Sequence, residues 1–535
     1  MTNQKISVIM IAMFLALSSS MAVIVTVGDE DLDAETIDYT GWIEISTPSD
    51  LSKIGSGGNY PDDGKYVLTN DINFKGIDLN GGGSSNGNMD PLSQDYIFTG
   101  TFHGNGHKII GLNIAFSDSS EYACIGLFTA VGEGAILDGI GLEGGSTVVE
   151  SLYAYVGSLI GYAESLTITN CYNAGDVTTT SSSYYTNVGG LIGYAESLTI
   201  KNCYNTGDVT VTSSSDAYVY AGGLIGHNDM SPITITDSYN TGKITTKATD
   251  TTSSYVASGG LVAYNNTSMT MANCYNTGDL AAMGANADVG GLVVYTDSGV
   301  MTNCYNTGDL IATATMSSSS SSLFWSCAYV GGLATFADSG VMTNCYNTGD
   351  LIATATLSPT SPYAYAGGLV GEAGELIVAN CYNAGDITAT ATSSPDAYEG
   401  GLIGNVYSSV IVTNCYFSGS ASDPIGDGIE NVLFDGGISS RENPSGKLSF
   451  EDLQNEASYY SGITNVHGED VEGWDFTDIW YIDDDKKLNS GLPYLRVFGI
   501  PEPPSGDNML LYVGIGIAAA AAIGIAVYFL FIRKS

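Results

Sequence analysis

The sequence predicts an all-β fold, a right-handed parallel β-helix (solenoid) with terminal caps and a C-terminal transmembrane helix. The main observation is a unit that recurs eight times between residues 157 and 419, running from a Gly-Leu or Ser-Leu step to a Cys-Tyr or Ser-Tyr step. The first part of each unit spans 14–16 residues, whereas the second part varies from 16 to 27 residues. Fixed spacing on one side and insertions on the other are typical of a solenoid, whose loops collect on one face.

A second observation is the strand composition within each unit. Segments 165–172 and 176–180 are rich in β-branched residues, and the Asn-Ala-Gly sequence at 173–175 is a turn signal. A third strand surrounds the Gly-Leu step, as at 188–194. Three short strands in a unit of 31–41 residues describe one coil of a parallel β-helix. The alternative, a β-propeller, needs four antiparallel strands from about 40 residues for each blade.

The cysteine place of the units is expected to form an interior column of reduced thiols. Stacked side chains lie about one strand spacing, ~4.8 Å, apart and point in the same direction, which does not suit a disulfide. Cys124 and Cys327 lie outside the column, and Cys327, in the longest insertion, is the expected exposed thiol. Ser238 replaces cysteine in one unit, and the other members of the column are Cys171, Cys203, Cys274, Cys304, Cys345, Cys381 and Cys415.

An asparagine precedes each of these cysteines and breaks the alternation of buried and exposed positions. Leu166, Ile168 and Asn170 would share one face of a straight strand, yet Cys171 should also be buried. A bend with the asparagine in the left-handed conformation resolves this conflict. The stacked amides would then hydrogen-bond along the column. The positions are Asn170, Asn202, Asn273, Asn303, Asn344, Asn380 and Asn414.

Both ends of the chain predict export and membrane anchoring. Lys5 precedes an apolar run at 6–17, which is typical of a secretory signal. Residues 509–532 carry no charge, and as a helix they span roughly 36 Å, enough for a bilayer core of about 30 Å. Arg533 and Lys534 are expected to stay in the cytoplasm. The expected location is the cell surface, anchored in the cell membrane by a single C-terminal pass with the bulk extracellular.

Two capping regions are expected to flank the repeats, because an open solenoid end exposes unpaired strand edges. Thr47 and Pro48 form a good helix start, and Leu51 and Ile54 would face the first coil. The expected divisions are a signal peptide at 1–27, an acidic leader at 28–40, the N-terminal cap and first coils at 41–150, the repeats at 151–419, a C-terminal capping region at 420–500, a Pro-rich spacer at 501–508, the transmembrane helix at 509–532 and a cytoplasmic tail at 533–535.

The charge balance argues against nucleic acid as a partner. The chain has 57 acidic and 15 basic residues, and Lys201, Lys243 and Lys247 are the only basic residues between 151 and 419. Nucleic acid binding requires a basic surface, which this composition does not supply. The same deficit argues against polyanionic substrates such as pectate.

Short motifs in the units resemble a known repeat. Several units carry a Gly-Leu-apolar-Gly core and a trailing CYNTGD or CYNAGD, which together resemble the GLUG repeat. The cores are GLIG at 190–193, 223–226 and 401–404 and GLVG at 368–371. YVLTNDINF at 66–74 and WDFTDIW at 474–480 are similar to segments that often precede and end such repeats. The resemblance covers roughly residues 41–498 and implies an adhesin-like surface protein of the bacterial or methanogenic archaeal type.

Three units depart from this pattern. AYN at 263–265, VVY at 293–295 and ATF at 334–336 lack the second glycine of the core. That glycine is therefore given no role as a ligand position.

Six repeat aspartates are expected to form a column along a turn, interrupted by Lys243. Two carboxylates about 4.8 Å apart repel by only about 0.9 kcal/mol in water, so an exposed turn tolerates them. Calcium is the alternative interpretation, since closely spaced oxygen ligands suit it, although each coil supplies one carboxylate. The residues are Asp176, Asp208, Asp279, Asp309, Asp350 and Asp386. No catalytic residue is assigned, because a glycosidase needs carboxylates that are unique in the chain, and no other cofactor is predicted.

Aromatic residues crowd the variable segments and form the predicted interaction surface. Aromatic side chains among serines make adaptable contact surfaces and also stack on sugars. Alternation leaves their exposure open, since Tyr218 and Tyr220 share parity with Leu224. The predicted contact residues are Tyr184, Tyr185, Tyr218, Tyr220, Phe324, Trp325, Tyr363 and Tyr365.

The sequence therefore favours a non-catalytic, membrane-anchored extracellular solenoid that acts in adhesion or cell-surface interaction. Its expected partner is a cell-surface glycan or protein. An exported polysaccharide-processing enzyme on the same scaffold and a structural component of the cell envelope are the alternatives. A pocket with three non-repeated carboxylates would favour the enzyme.

Overall fold

The computed structural model describes residues 37–80, 87–92, 97–181, 185–214, 218–250, 252–316, 326–357, 362–392, 396–429, 432–434, 447–454, 474–483 and 489–498. The predicted signal peptide and transmembrane helix lie outside these residues. Within them, no helix is long and apolar enough to cross a membrane. The chain divides into Met1–Trp42 and Ile43–Ser535. In the first unit, the Trp42 amide donates a hydrogen bond to the Tyr39 carbonyl, and the two rings meet edge to face at 5.2 Å.

The second unit is a β-solenoid in which the strands of successive coils pair in parallel and in register. Ile192 pairs with Ile225, and Gly189 pairs with Gly222, so equivalent residues of neighbouring coils lie directly above one another. The all-β parallel solenoid predicted from the repeat spacing is confirmed, and its right-handed sense stays a prediction.

Each repeat coil contributes strands to three ladders, which we call the Gly-Leu, Tyr-Asn and variable-side ladders. The Gly-Leu ladder consists of Ile43–Ile45, Lys65–Leu68, Thr101–His103, Phe128–Val131, Ala135–Asp138, Ile160–Thr169, Ile192–Lys201, Ile225–Asn228, Ile233–Thr236, Val262–Ala272, Val293–Thr302, Ala334–Thr343, Val370–Ala379, Ile403–Val406, Val410–Thr413, Ile425–Asp427 and Val432–Phe434.

The Tyr-Asn ladder follows the cysteine place and continues through the residues after the turn. It consists of Ile72–Asn73, Lys108–Ile125, Gly141–Gly157, Tyr172–Ser181, Tyr204–Asn205, Val209–Ser213, Tyr239–Asn240, Ile244–Ala248, Tyr275–Asn276, Leu280–Gly284, Tyr305–Asn306, Leu310–Met316, Tyr346–Asn347, Leu351–Leu357, Tyr382–Asn383, Ile387–Thr392 and Tyr416–Phe417.

The variable-side ladder ends on the glycine that opens each unit. It consists of Tyr185–Gly189, Tyr218–Gly222, Tyr255–Gly259, Asn286–Gly290, Cys327–Gly331, Tyr363–Gly367 and Ala397–Gly400. The long strands Lys108–Ile125 and Gly141–Gly157 extend into this ladder, because Val156 and Gly157 pair with Val188 and Gly189. The remaining elements are the helices Pro48–Leu51 and Phe450–Leu453, the 3-10 turns Asn489–Gly491 and Arg496–Phe498, and an antiparallel pair, Trp480–Tyr481 with Tyr494–Leu495.

The helix start predicted at Thr47 and Pro48 is present in the structure. Thr47 Oγ1 accepts a hydrogen bond from the Asp50 amide at 3.1 Å, and Pro48 is the first residue of the helix. Leu51 and Ile54 are buried in the main core. The short helix therefore covers apolar residues at the start of the solenoid.

The left-handed bend predicted before each cysteine is also confirmed. All seven asparagines have φ between 53° and 56°, and Asp237 takes the same conformation in the unit with Ser238. The bend turns the next side chain inward, and all seven column cysteines are fully buried and free of disulfides. The exposed side of the bend carries stacked amides, such as Asn202 Nδ2 donating to Asn170 Oδ1 at 2.7 Å.

The region 420–500, for which we predicted a cap, continues the solenoid in its first part. Ile425–Asp427 and Val432–Phe434 add a further coil. The described parts of 447–498 instead lie along the side of the solenoid, on the column of tyrosines that follow the cysteine place. Phe498 meets the rings of Tyr275 and Tyr305 edge to face, far from the last coil. The aromatic column is a large apolar surface, and covering it removes that surface from water.

Candidate interaction surface

One side of the solenoid carries three parallel rows of side chains around the corner between the variable-side and Gly-Leu ladders. The outer row opens each variable-side strand, the inner row follows two residues later, and the opposite row lies across the corner. The outer row contains Tyr185, Tyr218, Tyr255, Asn286, Cys327 and Tyr363. The inner row contains Tyr155, Asn187, Tyr220, Ala257, Asp288, Tyr329, Tyr365 and Tyr398. The opposite row contains Tyr162, Tyr194, His227, Tyr264, Tyr295, Phe336, Glu372 and Asn405.

The outer row supplies the exposed aromatic surface. Tyr185 and Tyr218 are 45% and 44% exposed, and their rings stack at 5.2 Å with an interplanar angle of 12°. Tyr363 is half-buried at the equivalent place of a later coil. In-register stacking holds the first two rings parallel, so together they present one broad aromatic face to solvent.

The inner row corrects part of the predicted surface, because Tyr220 and Tyr365 are buried. The Tyr220 ring lies 5.3 Å from His227 and 5.1 Å from Tyr264, both of the opposite row. Tyr365 stacks between Tyr329 and Tyr398 in its own row. These residues share a strand face with the outer row, but the corner folds the opposite row over them. The three remaining predicted contact residues, Tyr184, Phe324 and Trp325, lie outside the described residues.

His227 is a buried histidine within this corner. Its ring contacts Tyr194, Tyr220 and Tyr264, and neither ring nitrogen has a hydrogen-bond partner. Burial lowers the pKa of His227 to about 4, so the imidazole is neutral at physiological pH. Nothing in the sequence singled it out, since aromatic residues of several kinds occupy the same row.

The repeat aspartates form the predicted column and have a structural role in it. One carboxylate oxygen accepts a hydrogen bond from the backbone amide of the equivalent residue in the next coil. The bonds measure 2.9–3.1 Å and run from Asp208, Lys243, Asp309, Asp350 and Asp386 to Asp176, Asp208, Asp279, Asp309 and Asp350. Calcium needs several oxygen ligands. Among the described residues, no group of three or more potential ligand side chains occurs.

A second asparagine ladder, which our predictions from the sequence missed, lies in the turn that follows the cysteine place. In seven of the eight units, the asparagine after the Cys-Tyr or Ser-Tyr step is buried and its amide donates to a nearby glycine carbonyl. In the first six of these units, the amide also donates to the next asparagine. For example, Asn306 Nδ2 lies 2.8 Å from Asn347 Oδ1 and 2.8 Å from the Gly308 carbonyl. The signal in the sequence was the Asn that recurs at this place in seven of the eight units, with Phe417 in the last. The ladder contains Asn173, Asn205, Asn240, Asn276, Asn306, Asn347 and Asn383.

The tyrosines that follow the cysteine place form the stacked column predicted for them. Neighbouring rings lie 4.7–5.1 Å apart and are within 7° of parallel from Tyr172 to Tyr382. Trp474 and Trp480 pack against the later members of this column. This part of the aromatic content is therefore structural.

The thiols differ by position. Burial raises the pKa of Cys171 and Cys381 in the column, so these thiols stay protonated. Cys327 is half-buried and begins a strand, and burial raises its pKa to about 12. It is more accessible than the column, as expected, but it is less exposed than a residue of a free loop.

The comparison with known families matches this geometry. The sequence model of the GLUG motif matches residues 153–178 and 184–212, which span the first two of the eight units. These two units of the chain therefore carry the GLUG motif. No curated protein matches the sequence.

The chain is also similar to two solved structures at low identity. A proposed immunoglobulin A1 protease from Bacteroides ovatus has a TM-score of 0.34 and 20% identity, over 55% of this chain and 84% of that chain. An IgA1 protease has a TM-score of 0.34 and 16% identity, over 59% of this chain and 23% of that chain.

The second GLUG glycine owes its place to packing at the corner. A Cβ atom at Gly193 would lie 2.3 Å from the Val156 amide nitrogen, and one at Gly226 would lie 2.6 Å from that of Val188. Both distances are too short for a real side chain. The glycine therefore lets the Gly-Leu ladder approach the variable-side ladder, and larger residues there require a wider corner.

Proposed function

We propose that this GLUG-repeat chain is a membrane-anchored extracellular solenoid that acts, without catalysis, in adhesion or cell-surface interaction. The observation that carries the proposal is the stacked, half-exposed pair Tyr185 and Tyr218. Two parallel rings form a rigid apolar surface that requires little ordering on binding. Sugar rings and flat protein surfaces are the partners that such a platform fits. The acidic composition disfavours partners of high negative charge.

The experiment compares two double variants of the chain. Tyr185→Ser with Tyr218→Ser removes the aromatic platform. Ile311→Ser with Ile352→Ser is the matched control, because these side chains are both 39% exposed and pair in register on another ladder. Binding is measured on a glycan array and as adherence to whole cells.

We expect the tyrosine variant to lose at least tenfold in binding and the isoleucine variant to retain it, with both keeping the β circular dichroism of the parent. If the tyrosine variant binds as well as the parent, the Tyr185 and Tyr218 platform is not part of the adhesive surface. An equal loss in both variants would point to a general effect of surface apolarity.

A second candidate, an exported polysaccharide-processing enzyme, is supported by carboxyl groups that do not repeat. Burial raises the pKa of Asp288 to about 8. Burial also raises the pKa of Glu372, which pairs with Phe336 of the preceding coil. Perturbed carboxyl groups in a cleft are typical of acid–base catalysis. Release of reducing sugar from neutral polysaccharides, lost in Asp288→Asn, would favour the enzyme over the adhesin.

A further inference from the structure

The corner of the solenoid opens into a cavity beside three consecutive irregular units. The units that carry Ala263, Val294 and Thr335 in place of the second glycine follow one another in the chain. The side chains of these three residues lie at the positions where Gly193 and Gly226 let the Gly-Leu ladder approach the variable-side ladder closely. The cavity has a volume of about 380 Å³ and its lining is Tyr255, Asn286, Asp288, Tyr295, Cys327, Tyr329 and Phe336.

Asp288 stands out in this lining because it is a buried carboxyl group without a countercharge. It is 2% exposed, and its Oδ1 atom has no hydrogen-bond partner. Tyr255 hydrogen-bonds to the same carboxylate, and the nearby Glu372 adds negative rather than positive charge. The described lining residues include no lysine or arginine. A carboxylate left in this state is costly, so its neighbourhood suits an incoming positive group.

The walls of the cavity indicate which positive group fits. Tyr255, Tyr295, Tyr329 and Phe336 are half-buried aromatic residues around Asp288. Aromatic faces attract organic cations, and a carboxylate among several aromatic rings is the arrangement that recognises ammonium groups. A hard metal ion would require several oxygen ligands, which the single carboxylate does not provide.

We propose that this cavity binds an organic ammonium group, with Asp288 as its counterion and the surrounding aromatic side chains as its cage. The group could come from a primary amine, such as a lysine side chain of a partner, or from a methylated ammonium. Both share the positive charge and the apolar substituents that the cavity matches. The site is separate from the exposed Tyr185 and Tyr218 platform and does not depend on the proposed adhesion.

The test measures binding to the full chain by calorimetry at constant ionic strength. The probes are tetramethylammonium, n-butylammonium and the neutral tert-butanol. We expect saturable binding of one ammonium probe and at least a hundredfold weaker binding of tert-butanol. Preference for tetramethylammonium assigns the site to methylated ammonium, and preference for n-butylammonium assigns it to a primary amine.

Two variants and one control separate the site from general effects. Asp288→Asn preserves shape and should weaken ammonium binding at least tenfold, and Tyr329→Leu should weaken it several-fold. Asp279→Asn, in the exposed turn column, should bind as the parent does. The proposal is overturned if neither ammonium probe saturates, if tert-butanol binds equally well, or if Asp288→Asn and Tyr329→Leu both retain the parental affinity.

Discussion

At the scale of single residues, burial decides the charge of Asp288. Its pKa rises to about 8 because the carboxylate loses water, and a hydrogen bond from Tyr255 offsets only part of this. The other titratable groups that face it are Tyr329, Cys327 and Glu372, whose pKa values are also raised. With no cation beside it, the carboxyl group is therefore mostly protonated in the folded chain at pH 7, and a bound ammonium group would favour its ionised form.

A stability measurement on Asp288→Asn checks this charge state. Between about pH 4 and pH 8 the folded chain holds a proton on Asp288 that the unfolded chain has released, so the free energy of unfolding falls as pH rises, by up to ~1.4 kcal/mol for each unit. An asparagine side chain does not titrate, so the Asp288→Asn variant lacks this pH-dependent loss of stability. We expect its thermal midpoint to exceed that of the parent increasingly from pH 5 to pH 8.

Asp279→Asn is the control for this measurement, because Asp279 lies in the exposed turn column. It should show no such increasing difference. An Asp288→Asn midpoint that differs from the parent by the same amount at pH 5 and pH 8 would contradict the raised pKa.

Ser238 shows which property of the column cysteines matters. Its hydroxyl accepts a hydrogen bond from the Cys203 amide at 3.0 Å and donates to the Thr236 carbonyl at 2.7 Å. A thiol makes the same contacts elsewhere, as Cys203 Sγ does with the Cys171 amide at 3.4 Å and the Lys201 carbonyl at 3.3 Å. The place therefore selects a small side chain that both donates and accepts.

At the scale of elements, the two asparagine ladders differ in burial and bond length at the coil of Cys304. Asn306 is fully buried, with bonds of 2.8 Å to both neighbouring asparagines. Asn303 lies at the bend, with bonds of 3.2 and 3.3 Å to its neighbours. The buried ladder should contribute more to stability, because a buried polar group left without a partner costs about 1–3 kcal/mol.

A pair of substitutions tests this difference. Asn306→Ala leaves polar groups of Asn276 and Asn347 unpaired, so we expect the free energy of unfolding to fall by about 2–4 kcal/mol in urea titrations. Asn303→Gly retains the left-handed backbone and should cost less than about 1 kcal/mol. Equal losses would show that the outer ladder is as important as the buried one.

How far each element could be predicted depends on whether its environment is local. The bend at Asn170 and the capping helix at Thr47 follow from neighbouring residues, and both were predicted. The burial of Tyr220 could not be predicted from the sequence, because Tyr218 and Tyr220 alternate to the same face of the strand. His227 and Tyr264, which belong to two different coils, cover Tyr220 but not Tyr218. The cavity at Asp288 likewise depends on residues of several coils, although the missing glycines were visible in the sequence.

At the scale of the whole molecule, the docking of 447–498 along the tyrosine column has no counterpart in the repeat pattern. The residues next to a tryptophan in the sequence do not predict which aromatic surface it will contact. Trp480 is fully buried and lies 6.2 Å from Tyr346 and 6.1 Å from Tyr382, ring centre to ring centre. The C-terminal segment and the column therefore share one apolar cluster.

Trp480→Ala tests whether this segment is separable from the solenoid. Removing a buried tryptophan costs about 3–5 kcal/mol, so we expect the segment to release and become sensitive to limited proteolysis. The solenoid strands should remain, with an unchanged far-ultraviolet circular dichroism spectrum. Trp42→Ala, in the first unit, is the matched control and should leave the segment protected. Loss of the β spectrum in Trp480→Ala would show that the column does not fold without its cover.

The path of that segment also determines where a pulling force would enter the molecule. The chain leaves the described region at Phe498, beside Tyr275 and Tyr305, rather than at the last coil. Tension applied through a C-terminal anchor, as proposed, would therefore load the middle of the solenoid. The antiparallel pair of Trp480–Tyr481 with Tyr494–Leu495 would pass part of that tension to the coils of Cys345 and Cys381, because Trp480 packs on Tyr346 and Tyr382.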